Sequence, residues 1–434
     1  MSATAVLIGF VAMLAMLLLS IPVAVIMVVT GVVGGLLIFG WPLVLSMGPV
    51  AWGVQNENVL TAIPLFILLG ELLLRSGLAD KMYTALSVWF VRFPGGLLHT
   101  NIGASALFAA TSGSSVATAA TIGTVSLPNL EARGYSPSRS LGSLAAGGTL
   151  GILIPPSVNL LVYGSLAETS IGQLFIAGII PGVMLTLCFM VFIALQSIIS
   201  PDKNEAAARG ELLPLRERLA LARHLIPPLV IFLVVMGSIY LGIATPTESA
   251  ALAVVVAFGF IAANGRLTLR LLDTCFRQSA KTTGMILLII AAAFMLNVTL
   301  ALGGAAQAMT QWVASFGLPA TWLLMILIVF YLVLGMFMDV LSMQVLTIPI
   351  ALPVVTAVGV DPIWLGIFVV LMCELGMITP PVGMNLYVVQ GVRTDGGPFG
   401  DVVKGAIPYA IIMILFTILL ILAPQIVLWL PAHM

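Results

Sequence analysis

Apolar runs of membrane-spanning length, about 17–25 residues, follow one another along this chain, with charged residues gathered at their ends. Nothing else in the sequence limits the fold as much. Of 434 residues 61% are hydrophobic and 7% charged, against roughly 25% charged in soluble domains. A soluble fold has no way to cover that much apolar surface. In lipid, a segment must satisfy its own backbone polar groups, and runs of this length do so as helices. The expectation is an all-α polytopic membrane protein.

The runs are 4–20 and 22–40 (one stretch bent or split at Pro22), 59–76, 100–130, 138–164 and 172–199 in an N-terminal half, residues 1–200. The segment 201–224 (PDKNEAAARGELLPLRERLALARH) is an extended hydrophilic linker. In the C-terminal half, 225–434, come 225–243, 247–264, 283–303, 321–353, 362–391 and 405–430, and amphipathic stretches cover 80–95 and 266–281. The apolar start has no basic region before it and no small-residue cleavage site, which excludes a secretory signal. Net charge is zero, so nothing suggests nucleic acid. Cys188, Cys275 and Cys373 have neither metal-ligand spacing nor an even count for a disulfide framework.

Two runs, 100–130 and 321–353, are too long for one span and too broken for two. Each has a polar, glycine-bearing midpoint, TSGSSVAT (111–118) and GMFMDVLS (335–342). That pattern suits a re-entrant hairpin, whose irregular tip is tolerated at membrane depth only inside protein or beside a water-filled cavity. Two further runs are interrupted by Gly-x-x-x-Pro-Pro, GILIPP (151–156) and GMITPP (376–381). A proline pair removes two N–H donors and clashes with the preceding turn, so each run reads as a broken helix.

Sidedness supports the hairpins. With both treated as re-entrant and the linker placed in the cytoplasm, counting spans outward puts all 16 lysines and arginines on one side. The opposite loops (41–58, 165–171, 244–247, 304–320, 354–361, 431–434) hold none. Basic residues mark the cytoplasmic face, which leaves the C-terminus periplasmic.

Sliding the sequence by 225 residues superposes Pro128 on Pro353, Gly134 on Gly359, Pro137 on Pro362, Gly151 on Gly376, Pro155 on Pro380 and Pro156 on Pro381, without a gap. By the span count the first hairpin opens to the cytoplasm and the second to the other side. The halves therefore read as an inverted repeat, the architecture of secondary transporters whose paired broken segments mark a midplane site.

The chemistry follows from the breaks. An interrupted helix frees carbonyl oxygens, which together with hydroxyls suit a hard cation such as Na⁺. One site would draw on Ser112, Ser114, Ser115 and Thr118 with the backbone of Gly151, Ile154 and Pro156. The other would draw on Gly335, Asp339 and Ser342 with Gly376, Thr379 and Met384. Helix N-termini at the breaks suit a substrate carboxylate. Asn159 and Asn385, with Ser114, Thr118 and Ser342, are candidates for the substrate's polar groups. Serine and threonine in membrane helices often do no more than bond a carbonyl one turn back, and that reading weakens only for the cluster at 111–118. Three intramembrane carboxylates stand out, Asp339, Glu374 and Glu248; Glu248 has the sequence of a helix cap after Thr245. Glu71 and Arg75 read as an i,i+4 pair.

These features resemble the large membrane subunit of tripartite ATP-independent periplasmic (TRAP) transporters. So do IPLFILLGELL (63–73), SGSSVATAATIG (112–123) and GGTLGILIPPS (147–157), and the similarity runs from about residue 5 to residue 430. The resemblance implies Na⁺-coupled uptake of an organic acid, usually a carboxylate, across a bacterial inner membrane by an elevator motion. The implied partners are a small four-helix membrane subunit, expected as a separate polypeptide, and a soluble periplasmic substrate-binding protein. It assigns Na⁺ ligation to Ser112, Ser115, Gly151, Ile154 and Pro156, and to Gly335, Asp339, Thr379, Pro381 and Met384.

A stand-alone Na⁺/dicarboxylate symporter of the divalent-anion type shares the hairpin design but usually carries Ser-Asn-Thr at its tips, which this chain lacks. An enzyme embedded in the membrane would want paired histidines or acids in the bilayer, whereas His99, His224 and His433 sit at segment ends. A passive scaffold would need no polar clusters at mid-depth.

Overall fold

A computed structural model describes residues 2–201 and 213–433, and among these it is helical, with no strand. The first half holds α1 (Ala3–Leu18), α2 (Val23–Phe39), α3 (Trp41–Gln55), α4 (Ala62–Arg75), α5 (Leu78–Phe90), α6 (Leu97–Ser112), α7 (Ser115–Ala132), α8 (Pro137–Leu153), α9 (Val158–Leu166) and α10 (Ile171–Ile199). The second holds α11 (Leu215–Ala222), α12 (Ile226–Tyr240), α13 (Pro246–Ala263), α14 (Leu269–Leu302), α15 (Ala305–Ala314), α16 (Ala320–Gly335), α17 (Val340–Thr356), α18 (Pro362–Met377), α19 (Met384–Gly391), α20 (Gly400–Leu422) and α21 (Gln425–Leu428).

Both long runs turn where their glycine-bearing midpoints lie. α6 stops at Ser112, Gly113 takes φ 60°, and Ser114 caps α7 by accepting from the Ala117 amide at 3.3 Å. A left-handed residue just past the helix end is the usual glycine stop. α16 stops at Gly335, and Asp339 caps α17 by accepting from the Ser342 amide at 3.2 Å. The two Pro-Pro runs are broken helices: α8 gives way to α9 over residues 154–157 and α18 to α19 over 378–383, with both Pro-Pro bonds cis. Element starts recur at the 225-residue shift, which carries Ser115 onto Val340 and Pro137 onto Pro362.

Burial sorts the helices. Ser140–Leu153 of α8 and Trp364–Met377 of α18 are buried at every position, so each is enclosed by protein all round. α8 packs on α6, α7, α18 and α20, whereas α14 packs on α2, α3 and α4, and α13 on α4 and α12. The outer helices present large apolar side chains outward, such as Leu37 at 83% exposure and Leu415 at 61%. An apolar outer surface facing hydrocarbon is what a bilayer requires.

Three expectations are corrected. The stretches 266–281 and 283–303 form one continuous helix, α14, of 34 residues; at 1.5 Å per residue it spans about 51 Å, well beyond a ~30 Å hydrocarbon core. Residues 41–58, read as a loop, contain α3, and 304–320 contain α15. Much of the linker, 202–212, lies outside the described residues, but 215–222 is helix α11, whose Arg218 guanidinium lies 5.4 Å above the Trp89 ring.

Candidate substrate and ion site

A cavity of about 760 Å³ lies where the two turns and the two breaks meet. The first hairpin contributes Ser112 to Ala117, and the second Asp339 to Ser342. Ile152, Val158 and Asn159 come from the first broken helix, Met377 and Met384 from the second, and α2, α4 and α14 form the remaining wall. Its size falls in the range of ligand sites, roughly 300–1,000 Å³. Ser115, Val158, Val340 and Met384 line it, and these are the first residues of α7, α9, α17 and α19. Four helix N-termini, each carrying partial positive charge, therefore converge on one space. Among the described residues its wall holds two acidic side chains, Asp339 and Glu71, and no lysine or arginine. Glu71 accepts from Arg75 at 2.7 Å.

Each turn is seated on a break of its own half through backbone contacts that glycine permits. A Cβ at Gly151 would lie 2.7 Å from the Ser114 carbonyl, and one at Gly113 would lie 2.8 Å from the Pro156 carbonyl. In the second half a Cβ at Gly335 would lie 2.5 Å from the Gly376 Cα, and the Val382 amide donates to the Met336 carbonyl at 3.3 Å. Gly151 and Pro156 thus sit directly behind Gly113–Ser115, and Gly335 directly against Gly376.

The hydroxyls have their protons directed into the protein. Thr118 donates to the Ser114 carbonyl at 2.7 Å, and Ser112 lies 3.1 Å from Thr118. Because Thr118 has a single proton and gives it to that carbonyl, Ser112 is the donor in their contact. Ser115 donates to Glu374, Ser342 to Asp339, and Thr379 to the Leu375 carbonyl at 2.6 Å. The oxygens of Ser112, Ser115, Ser342 and Thr379 keep their lone pairs for an electropositive partner, whereas that of Thr118 accepts from Ser112.

Some expected residues lie apart from the cavity. Asn159 lines it, but Asn385 is fully buried, its amide atoms without a hydrogen-bond partner among the described residues and its Nδ2 2.9 Å from where a Gly148 Cβ would stand. Thr118 is buried beneath the first turn and Pro381 is exposed, and neither lines the cavity. Glu248 completes a capping box with Thr245, each side chain accepting from the other's amide at 2.8 and 3.3 Å. The pairing of Glu374 with Ser115 went unforeseen; its signal was a carboxylate two residues before a break.

Residues 10–426 match the family described as the tripartite ATP-independent periplasmic transporter, DctM component. The C4-dicarboxylate TRAP transporter large permease protein DctM of Pseudomonas aeruginosa is 35% identical over 398 residues, covering 91% of each chain. The ectoine TRAP transporter large permease protein TeaC of Halomonas elongata is 30% identical over 430 residues, covering 96% of this chain and 97% of its own. The crystal structure of the Alcanivorax borkumensis YdaH transporter aligns with a TM-score of 0.63 over 98% of both chains at 13% identity, which speaks to fold alone. A family match over nearly the whole length, on a helical framework that encloses a cavity between two hairpins and two broken helices, makes this a multi-pass membrane protein that belongs to the TRAP transporter family as its DctM component, the large permease.

Proposed function

We propose that the chain imports an organic acid across a bacterial inner membrane, driven by Na⁺, together with a small four-helix membrane subunit and a periplasmic substrate-binding protein. The observation that carries this reading is the convergence of four helix N-termini and three proton-directed hydroxyls, those of Ser112, Ser115 and Ser342, on one cavity. N-terminal dipoles favour an anion, and oxygens with free lone pairs favour a hard cation. With no lysine or arginine in the wall among the described residues, a co-bound cation supplies the positive charge that a carboxylate needs. Na⁺ would be held by Ser112, Ser115, Gly151, Ile154 and Pro156 in one half, and by Gly335, Asp339, Thr379, Pro381 and Met384 in the other. The substrate would meet Ser114, Asn159 and Ser342 between them.

The repeat is read as inverted and the motion as an elevator. The hairpins and broken helices cluster about α8 and α18, whereas α2–α4 and α12–α14 pack among themselves, so the cavity lies where one group would slide past the other. It reaches Leu74 and Thr282, which adjoin Arg75 and Lys281, and this conformation is read as open to the cytoplasm. The test is uptake into proteoliposomes of radiolabelled succinate, ectoine and sialic acid. The chain would be reconstituted alone, then with the small subunit and binding protein of its own source, with and without a Na⁺ gradient. One substrate should accumulate only with all three components and Na⁺. Uptake by the chain alone would favour the stand-alone symporter.

A further inference from the structure

Glu374 sits in the most enclosed part of the molecule, on α18, with no exposed surface. One carboxyl oxygen accepts the Ser115 hydroxyl from the start of α7, 259 residues away in sequence, and the other has no hydrogen-bond partner among the described residues. Among the described residues no cation-bearing side chain forms an ion pair with it. A buried carboxyl so poorly satisfied costs stability, and a helix of the core does not need one.

Its placement suggests what it does. Ser115 lies at the contact between the first turn and the first break, since a Cβ at Gly151 would meet the Ser115 Cα at 2.7 Å. Glu374 lies two residues before Gly376, the residue on which the second turn is seated through Gly335. One side chain therefore joins the parts assigned to the first cation site with the helix that carries the second. The bond is also directional. A serine hydroxyl has one proton and two lone pairs, so an acceptor that fixes the proton fixes where the lone pairs point. With Glu374 taking the proton, the Ser115 oxygen is free to face a cation. Without it, the hydroxyl can rotate and turn its proton toward the ion.

We propose that Glu374 is a positioning residue that orients Ser115 for the first cation and mechanically couples that site to the second broken helix, so that filling one site favours filling the other. This deepens the Na⁺-driven reading above and rests on it. Coupling between two sites appears as a shared free energy and is reciprocal. It predicts cooperative Na⁺ dependence that depends on this one bond.

The experiment measures uptake against Na⁺ concentration in the three-component proteoliposome system. It compares the native chain with Glu374→Met, Glu374→Gln, Ser115→Ala and the double variant Ser115→Ala/Glu374→Met. Glu374→Gln keeps the volume and an acceptor oxygen, and Ser115→Ala removes one oxygen atom, so the set does not hinge on the most disruptive change. For Glu374→Met the Na⁺ concentration at half-maximal uptake should rise about tenfold and the Hill coefficient should fall toward one, with the substrate KM at saturating Na⁺ little changed. Ser115→Ala should do the same, Glu374→Gln less. The double variant should be no worse than either single change, because both remove one interaction. A merely structural glutamate would lower the amount of active protein and leave the Hill coefficient and half-saturation alone. Additive effects of the two single changes, or an unaltered Hill coefficient in Glu374→Gln and Ser115→Ala alike, would overturn the proposal while the Na⁺-driven reading stood. Uptake by the native chain that ignored Na⁺ would overturn both.

Discussion

Gly335 and Gly376 touch through their backbones, and that contact sets how close the second turn can come to the second break. A Cβ on Gly376 would lie 2.6 Å from the Gly335 Cα and 3.3 Å from its carbonyl oxygen. Gly376→Ala must therefore push two backbones apart, and overpacking of this kind costs about 1–3 kcal/mol. Because the Gly335 and Thr379 oxygens would separate with the backbones, the Na⁺ concentration at half-maximal uptake should rise about tenfold. Gly391→Ala is the control, since a Cβ there meets nothing within 4 Å and uptake should not change. Equal behaviour of the two variants in a Na⁺ titration would show that the close approach is incidental. At this scale the sequence was readable where chemistry broke its surroundings. Ser112, Ser115 and Asp339 stood out as polar residues at the middle of apolar runs, and the cap sequence of Glu248 was enough to place it. Asn385 does not line the cavity, and its sequence could not show that, because an amide next to a break looks alike whether it faces a cavity or a neighbouring glycine. Glu374 and Ser115 are joined only by tertiary packing, and no local pattern reports that.

Helices show the same division between legible and hidden. The hairpin and broken-helix boundaries lie close to the expected ones, because glycine, proline and capping side chains act locally on the backbone. α14 was split in two because its first turns are amphipathic and the rest apolar. That change marks a change of solvent along a single helix, and no breaker separates the parts. Residues 41–58 were read as a loop from the span count, yet they hold α3; a proline in the first turn of a helix is well tolerated, and Pro42 is there. α15 carries no charge to signal amphipathicity, although the 225-residue shift carries α5 onto it. The breaks admit a direct test. Prolines in 154–157 and 378–383 keep amides from closing the helix and so leave the carbonyls of the last turn open. Pro155→Ala with Pro156→Ala should let α8 and α9 approach continuity without removing any ligating side chain. The protein should still insert, because continuous helix suits lipid at least as well. Half-maximal uptake should need at least tenfold more Na⁺, and Pro380→Ala with Pro381→Ala should act likewise. An unchanged Na⁺ titration in both double variants would reduce the prolines to kinks.

For the molecule as a whole, segments that the basic residues assign to one membrane face meet one another in the fold. Arg266 donates to the Ser76 carbonyl at 3.1 Å and Lys81 to Asn264 at 3.0 Å. Arg139 donates to the Ser200 carbonyl at 2.6 Å, and Thr394 meets Glu131 at 3.3 Å. Segments assigned to one membrane face thus touch one another across long stretches of sequence. What the pattern did not give was the cavity wall from α2, α4 and α14, because an apolar residue facing a cavity looks the same in sequence as one facing lipid. If that cavity opens to the cytoplasm and the transport cycle moves the hairpins past the wall, its reagent access must depend on side and state. Ala120 on α7 is half-buried and lines the cavity, whereas Glu168, after α9, is exposed at the opposite, lysine- and arginine-free end. In a chain whose Cys188, Cys275 and Cys373 are replaced by alanine, Ala120→Cys should react with a membrane-impermeant maleimide only from the cytoplasmic face. Its rate should fall severalfold when substrate-loaded binding protein and Na⁺ are supplied from the other side, because the cavity then closes toward the cytoplasm. Glu168→Cys should react only from the periplasmic face, at a rate that these additions leave unchanged. Reaction of Ala120→Cys from both faces would refute the sidedness, and a cytoplasmic rate indifferent to the additions would refute alternating access through this cavity.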